Sequence, residues 1–377
     1  MSKKKPPRKS STGSARKGSA RKPTVAQLRG KIKRLDKTLV ELCQERASLV
    51  CQLNESSTAE ALRMCDASNV GQILGDALQD GEPLAEACLR ATLRELFSGT
   101  RAIVSPVNAA YLGPPYSFSH LAAAEHFGES AKLVPVSTIA AVFEEVQDGQ
   151  VDHGLVPLEN STDGRIVDTL DMFARVPVKI CGEVRLRIHH HLLSKCSRAD
   201  IRDVYSKPQA ISQCRNWLAK HMPHAQVMEI ASTAAAAELA ASQEGVAAIA
   251  SHQAGTHYGL DVIAAAIEDN QNNITRFAVI GRDHAARSGN DKTALMFEVS
   301  HQPGALADVM NVFKRSKLNL TFIESFPRLG GINEYIFFVE FEGHPVSSKV
   351  RRALDSLDKK VVRRKVLGAY ENKEPVG

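Results

Sequence analysis

Glu268-Asp269-Asn270-Gln271-Asn272-Asn273-Ile274-Thr275-Arg276-Phe277-Ala278-Val279-Ile280-Gly281 leads six acidic or carboxamide side chains, then a hydroxyl and a cation, into a short apolar stretch. Residues 277–280 read as a buried strand, which sets Thr275 and Arg276 at its mouth. A polar cluster fixed to the end of a rigid strand can hold reacting groups in place. The segment alone admits two readings, a loop that feeds a strand or the edge of an active site. The rest of the chain has to separate them.

Around this stretch, residues 107–283 alternate strands and helices. Strands are expected at 109–112, 131–136, 154–157, 178–188, 202–205, 226–230, 246–250 and 277–280. Helices are expected to start near Ser117, Ser137, Gly164, Pro208, Ser232 and Ser251, several with the Ser that suits an N-cap. That is an open α/β fold, in two lobes with a cleft. A polar linker, 282–291, leads to residues 292–370, whose strand-helix-strand-strand-helix-strand order predicts a small ferredoxin-like α+β domain. Residues 24–104 are all-α in pattern, with helices from 24, over 68–78 and over 83–103. Leu28, Ile32, Leu35, Leu39, Leu42 and Leu49 form one apolar stripe on the long first helix. Such a set rarely closes a monomeric core, so a homodimer or higher homo-oligomer is expected.

The length of 377 residues fits two or three domains, and 43% hydrophobic content allows a sizeable core. No apolar run approaches a membrane span. Residues 1–22 hold nine Lys or Arg, no acid and no apolar secretion segment. Taking those nine from 48 leaves 39 basic against 42 acidic residues, so the formal +6 becomes −3 over the remainder. The folded part is therefore no nucleic-acid surface. The tail, 1–23, is read as a disordered solubilising arm rather than a polyanion attachment. Seven cysteines, odd in number and never spaced as a metal pair, point to reduced thiols in a cytoplasmic protein. Neighbouring strand residues point to opposite faces, so His189-His190-His191, three in a row, cannot converge on one metal.

Three more polar turns follow strands in the middle part. Gly113-Pro114-Pro115-Tyr116-Ser117-Phe118-Ser119 precedes a helix, where exposed amides suit an anion. Val156-Pro157-Leu158-Glu159-Asn160-Ser161-Thr162-Asp163-Gly164 repeats the pattern, as does Ser206-Lys207-Pro208-Gln209-Ala210-Ile211-Ser212-Gln213-Cys214, in which Gln209 and Gln213 share a helix face. One such turn is ordinary capping, whereas four in one domain describe a ligand-lined cleft.

These segments, with Ser232-Thr233 and Ala254-Gly255-Thr256-His257-Tyr258-Gly259-Leu260, resemble the prephenate dehydratase family in order and spacing over residues 107–283. Thr275-Arg276-Phe277 with Asn273 upstream is the most specific match. The resemblance implies two α/β lobes like those of periplasmic-binding proteins. It also implies loss of water and carbon dioxide from prephenate to give phenylpyruvate, in L-phenylalanine biosynthesis and with no cofactor or metal. It makes Thr275 the essential catalytic residue, beside Asn160 and Ser161. A Thr hydroxyl is too weak an acid to give up its proton freely, so a directed hydrogen bond to the leaving ring oxygen is expected. Ser117, Thr162, Gln209, Gln213, Ser232 and Thr233 are expected around the substrate carboxylates, with Arg276 either their counter-charge or a brace for the fold. Tyr116 departs from the family's usual Gly, and Lys207 from its frequent His.

Residues 292–370 resemble an ACT domain. Pro303-Gly304-Ala305-Leu306 opens its first helix and Glu324-Ser325 closes its second strand, where the family binds phenylalanine as effector. Phe326 replaces the family's Arg. Residues 24–104 resemble the all-α chorismate mutase domain of bifunctional enzymes, through Leu28-Arg29-Gly30-Lys31-Ile32 and Glu45-Arg46. Arg29 and Arg46 stand about 25 Å apart along a helix and can share a site only across a dimer. Asp66 is retained. The family's Lys, its Arg-Glu pair and its late Gln or Glu become Ser57, Asn69-Val70 and Val104. A pocket lacking its ether-oxygen donor and one carboxylate anchor makes a poor mutase, so the domain reads as a dimerising remnant. A fully bifunctional enzyme is the first rival, and an amino-acid-sensing binding protein is a rival of another class.

Overall fold

The computed structural model describes residues 23–65, 69–78, 83–162, 164–327, 335–373 and 375–376. Four helices come first, α1 (Val25–Ser56), α2 (Thr58–Met64), α3 (Asn69–Ala77) and α4 (Glu86–Val104). The sequence pattern predicts three, and Ser57 is the reason for the fourth. Its extended backbone ends α1, and its hydroxyl accepts the amide of Glu60 to start α2. Among the described residues the apolar stripe of α1 has no partner, with Leu28 44% and Leu35 68% exposed.

The first lobe holds β1 (Asn108–Leu112), α5 (Phe118–Phe127), β2 (Lys132–Val136), α6 (Ile139–Gln147), β3 (His153–Asn160), the short β4 (Gly164–Arg165), α7 (Val167–Arg175) and β5 (Lys179–Arg187). The chain crosses to a second lobe of β6 (His191–Ser194), β7 (Asp203–Ser206), α8 (Pro208–Gln213), α9 (Arg215–His221), β8 (Gln226–Glu229), α10 (Thr233–Ser242), β9 (Val246–Ala250), α11 (His252–Tyr258) and β10 (Asp261–Ala264). It returns to the first lobe as β11 (Ile274–Gly281). The last part is β12 (Asp291–Glu298), α12 (Ala305–Arg315), β13 (Leu320–Pro327), β14 (Tyr335–Glu342), α13 (Ser348–Leu357) and β15 (Arg363–Glu371).

The second lobe has its own sheet, in order β10-β6-β9-β7-β8. The other sheet does not stop at a domain boundary: its order is β13-β14-β12-β15-β5-β11-β3-β1-β2, with β4 paired on β3. The join is Gly368 of β15 against Ile180 of β5, where a Cβ on Gly368 would lie 2.0 Å from the Ile180 carbonyl oxygen. Val376 extends the seam, its N–H donating to Arg185 O and its carbonyl accepting from Arg187 N, both at 2.8 Å. A core that includes Phe143, Phe173, Ile180, Met296 and Phe338 crosses the same boundary. A linker separates the two parts in sequence, yet they share a sheet and a core.

Lys365 of β15 adds a tie, its Nζ donating to the carbonyls of Phe173 and Val176 at the C-terminal end of α7, both at 2.7 Å. Burial, then the nearby Lys179 and Arg363, push its ammonium down from 10.5 to about 8. Between those values the unfolded chain holds a proton that the folded one has shed, so folding stability rises with pH across the window. The neutral amine still has two hydrogens for its two carbonyls. The melting temperature of the wild type should therefore gain on that of Lys365→Met as pH climbs from about 8 to about 10, and parallel profiles would refute this assignment.

Candidate active site

The two lobes enclose a cleft of about 980 Å³. Its floor is the ladder between β3 and β11. The apolar pattern predicts β11 from Phe277, but pairing begins at Ile274, because Arg187 and Asn160 offer partners to the polar residues. Thr275 is thus paired strand, directly opposite Asn160.

A chain of hydrogen bonds orients this pair. Asn160 Nδ2 donates to Thr275 Oγ1 at 2.7 Å and to Asn273 Oδ1 at 3.2 Å. Asn273 Nδ2 donates in turn to Gln213 Oε1 at 3.0 Å, and His190 Nε2 meets the same oxygen at 2.9 Å. An oxygen cannot donate, so His190 carries its proton on Nε2. Burial pulls the His190 pKa below the usual value against smaller opposing effects of Gln213 and Glu268, which keeps the ring neutral near pH 7. Because Thr275 Oγ1 already accepts, its own hydrogen is available to a molecule in the cleft.

The walls favour anions. α5 and α10 both start at the cleft, and Ser117 and Ser232 cap them by accepting the amides of His120 and Ala235. Each start brings partial positive charge, and Lys207 adds a full one beside Gln209. Pro114, Phe118, Ile139, Ile188 and Phe277 supply flat apolar surface for a ring.

Of the residues that the resemblance singles out, Ser117, Asn160, Gln209, Gln213, Ser232, Thr233 and Thr275 line the cleft. Ser161 and Thr162 stand behind it. Ser161 Oγ accepts from Ile274 N at 2.9 Å, while Thr162 donates its N–H to Asn160 Oδ1 and its hydroxyl to Asn273 Oδ1. These bonds tie the end of β3 to the start of β11. The counter-charge reading of Arg276 is corrected: its side chain points to the back of the sheet, 12% exposed, among Glu159, Glu183 and Glu340. Strand alternation requires this once Thr275 faces the cleft. His190 and Asn273 belong to this network without a role having been assigned to them from the sequence. Alternation of side chains along extended chain was the available signal for His190, although only His191 of the three lies in a strand, β6.

The other two histidines diverge, His189 onto Glu268 at 2.7 Å and His191 toward His252. Glu268 also accepts from His190 N, which ties together the two segments that cross between lobes. Tyr116 stands at φ 62°, a conformation natural to the Gly that the family pattern carries there. Its ring reaches the second lobe and stacks on His257 with centroids 3.8 Å apart, so the side chain bridges the lobes.

In the last domain, Gly304, Ala305 and Leu306 line a cavity of about 350 Å³ with Tyr335 and Phe337. Glu324 and Ser325 lie on β13, Ser325 in register with Phe337, and Phe326 is buried in the shared core. In the helical part, Arg46 turns inward, donating to Met64 O at 2.6 Å and lying 4.1 Å from the Phe97 ring. Arg29 is exposed on α1, and Asp66 lies outside the described residues. Val104 packs on an apolar cluster of Val50, Ala61 and Cys65, and Val70 is buried with Leu74 and Phe97.

The family pattern for prephenate dehydratase matches residues 109–285, and that for the ACT domain matches residues 293–359. A protein of Aquifex aeolicus named bifunctional chorismate mutase/prephenate dehydratase is 39% identical over 352 residues, 92% of this chain and 97% of its own. Among solved structures, a prephenate dehydratase in complex with L-Phe from Arthrobacter aurescens is 30% identical, with TM-score 0.66 over 72% of this chain and 92% of its own. GqqA, described as a novel type of quorum quenching acylase, is 28% identical, with TM-score 0.64 over 71% of this chain and 98% of its own. The same fold thus carries proteins described by different activities, and the residues in the cleft have to decide between them.

Proposed function

This chain belongs to the prephenate dehydratase family and carries an ACT domain, and from that premise we propose that it converts prephenate to phenylpyruvate in L-phenylalanine biosynthesis. The observation that carries the reading is the Thr275 hydroxyl, held by Asn160 with its hydrogen free for the cleft. In the reaction the ring carboxylate leaves as carbon dioxide. The electron pair of that C–C bond aromatises the ring, and the ring oxygen departs as hydroxide, which takes a proton from solvent to become water. Charge grows on that oxygen as its bond breaks, and a preorganised donor there lowers the barrier. The starts of α5 and α10, with Lys207, suit the two carboxylates.

The ACT cavity supports phenylalanine as an effector, in line with the L-Phe complex of the Arthrobacter relative. The exposed stripe of α1 supports a homodimer paired through that helix, and the scattered thiols support a cytoplasmic location. No described helix is long and apolar enough to cross a membrane. The apolar surroundings of Val70 and Val104 support a mutase-like remnant, since a site for a dianion has no use for two valines at its polar positions. The name of the Aquifex relative favours a second reading, a working mutase.

One set of assays tests these readings. Purified protein is given prephenate and chorismate separately, with and without phenylalanine, and its mass is measured by sedimentation. Phenylpyruvate from prephenate, suppressed by phenylalanine, and a dimer are expected. An inert protein that still binds phenylalanine would make it a sensor. Prephenate formed from chorismate above the uncatalysed rate would restore the mutase.

A further inference from the structure

The catalytic pair on the cleft side of the β3–β11 ladder has a counterpart on the other side. One step along, Arg276 pairs with Glu159 and faces the ACT domain. Arg276 Nη1 donates to Glu159 Oε2 at 2.8 Å, and Nη2 reaches Glu183 of β5 at 2.6 Å and Glu340 of β14 at 2.7 Å. Lys292 of β12 donates to Glu183 at 2.7 Å, and the Tyr370 hydroxyl of β15 to Glu340 at 2.6 Å. The side chains of Glu183 and Glu340 are 2% and 1% exposed, so two buried carboxylates face two cations. Burial is the largest effect on both Arg276 and Glu340 and works against their charge; only the whole cluster, their mutual attraction together with Glu183, Lys292 and the hydrogen bonds, outweighs it.

We propose that Glu340 is a positioning residue of the dehydratase: a carboxylate of the ACT domain that fixes, through Arg276, where Thr275 and Asn160 stand. The proposal rests on the dehydratase reading given above. Arg276 is bonded directly to Thr275, so movement of its guanidinium is movement of the backbone that aims the Thr275 hydroxyl. A misplacement of about 1 Å at reacting groups costs on the order of a hundredfold in rate. β14 also alternates. Phe337 lines the cavity at Gly304–Leu306, while Phe338 packs in the core shared with the catalytic lobe and Glu340 meets Arg276. One strand therefore touches the effector-domain cavity on one face and the back of the catalytic ladder on the other. Occupancy of that cavity can reach Thr275 through a shift of β14.

Glu340→Gln keeps the size of the side chain and removes its charge. With prephenate as substrate, kcat is expected to fall about tenfold or more while KM stays within about twofold. This substitution also removes one of the carboxylates that offset the burial of Arg276 and Lys292, which keep Glu159 and Glu183, and so lowers stability. The double variant Glu340→Gln/Lys292→Met, which removes one buried cation along with the buried carboxylate charge, is therefore measured beside it. Its melting temperature is expected to recover toward that of the wild type, and its kcat is not. Full kcat in folded Glu340→Gln, or kcat recovering in step with melting temperature in the double variant, overturns the proposal and leaves Glu340 a purely structural role. A wild type inert on prephenate instead overturns the dehydratase reading, before either variant is compared.

Discussion

Thr275→Ala is expected to lower kcat for prephenate by about 10²- to 10³-fold, with KM changed far less, because the lost bond is made to charge that develops only in the transition state. The substitution removes the hydroxyl that Asn160 holds at the cleft by donating to its oxygen. It removes little else. Thr275 is paired strand on both sides, so its backbone stays fixed by β3 and β5. Melting temperature should therefore stay near that of the wild type. Thr275→Ser supplies the control, since it keeps the hydroxyl and loses a methyl. It should recover most of the rate, though its less restricted side chain will aim the hydrogen less well. A Thr275→Ala enzyme within about threefold of wild type would remove Thr275 from the mechanism and leave the cleft's helix starts and Lys207 as the source of catalysis.

Gly368→Ala is expected to be the most destabilising small substitution in the sheet, at about 3 kcal/mol or more. The added methyl would sit 2.0 Å from the Ile180 carbonyl oxygen, and nearby backbone atoms of the same residue also lie under 3.0 Å away. A flexible side chain could swing aside, but backbone cannot without breaking the β15–β5 pairing. Thermal unfolding reads this directly, and a loss of that size should lower the melting temperature by about 6–12 °C. An unchanged melting temperature would mean that β15 and β5 are not paired in solution. Activity should fall as well, because β5 is also the partner that holds β11.

Much of this site was legible in the sequence, for a physical reason. Helix caps and strand ends are local events, so Ser117, Ser232 and the turn at Pro208 announced where helices meet the cleft. Thr275 and Asn160 were legible only through the resemblance, since their contact spans 115 residues. The role of Arg276 was not legible. Counter-charge and brace differ in which face the side chain takes, and that depends on the register of a strand whose polar start looked like loop. Ser57 escaped because a run of helix-forming residues hides a single capping residue. The shared sheet escaped for a third reason, since nothing local in 282–291 says that the chain beyond will return to an open strand edge.

Regulatory and catalytic parts that meet only through a linker can be exchanged between proteins like cassettes. This chain forgoes that freedom. A recombination point at 282–291 would have to bring a glycine opposite Ile180, a carboxylate in reach of Arg276 and a tail that covers Arg185 to Arg187, all at once. Cutting the chain there instead would strip β5 of its neighbour and leave an unsatisfied strand edge, the kind of surface that recruits other chains into aggregates. The seam thus fixes the two parts as one heritable unit, and variation in one has to be answered by variation in the other.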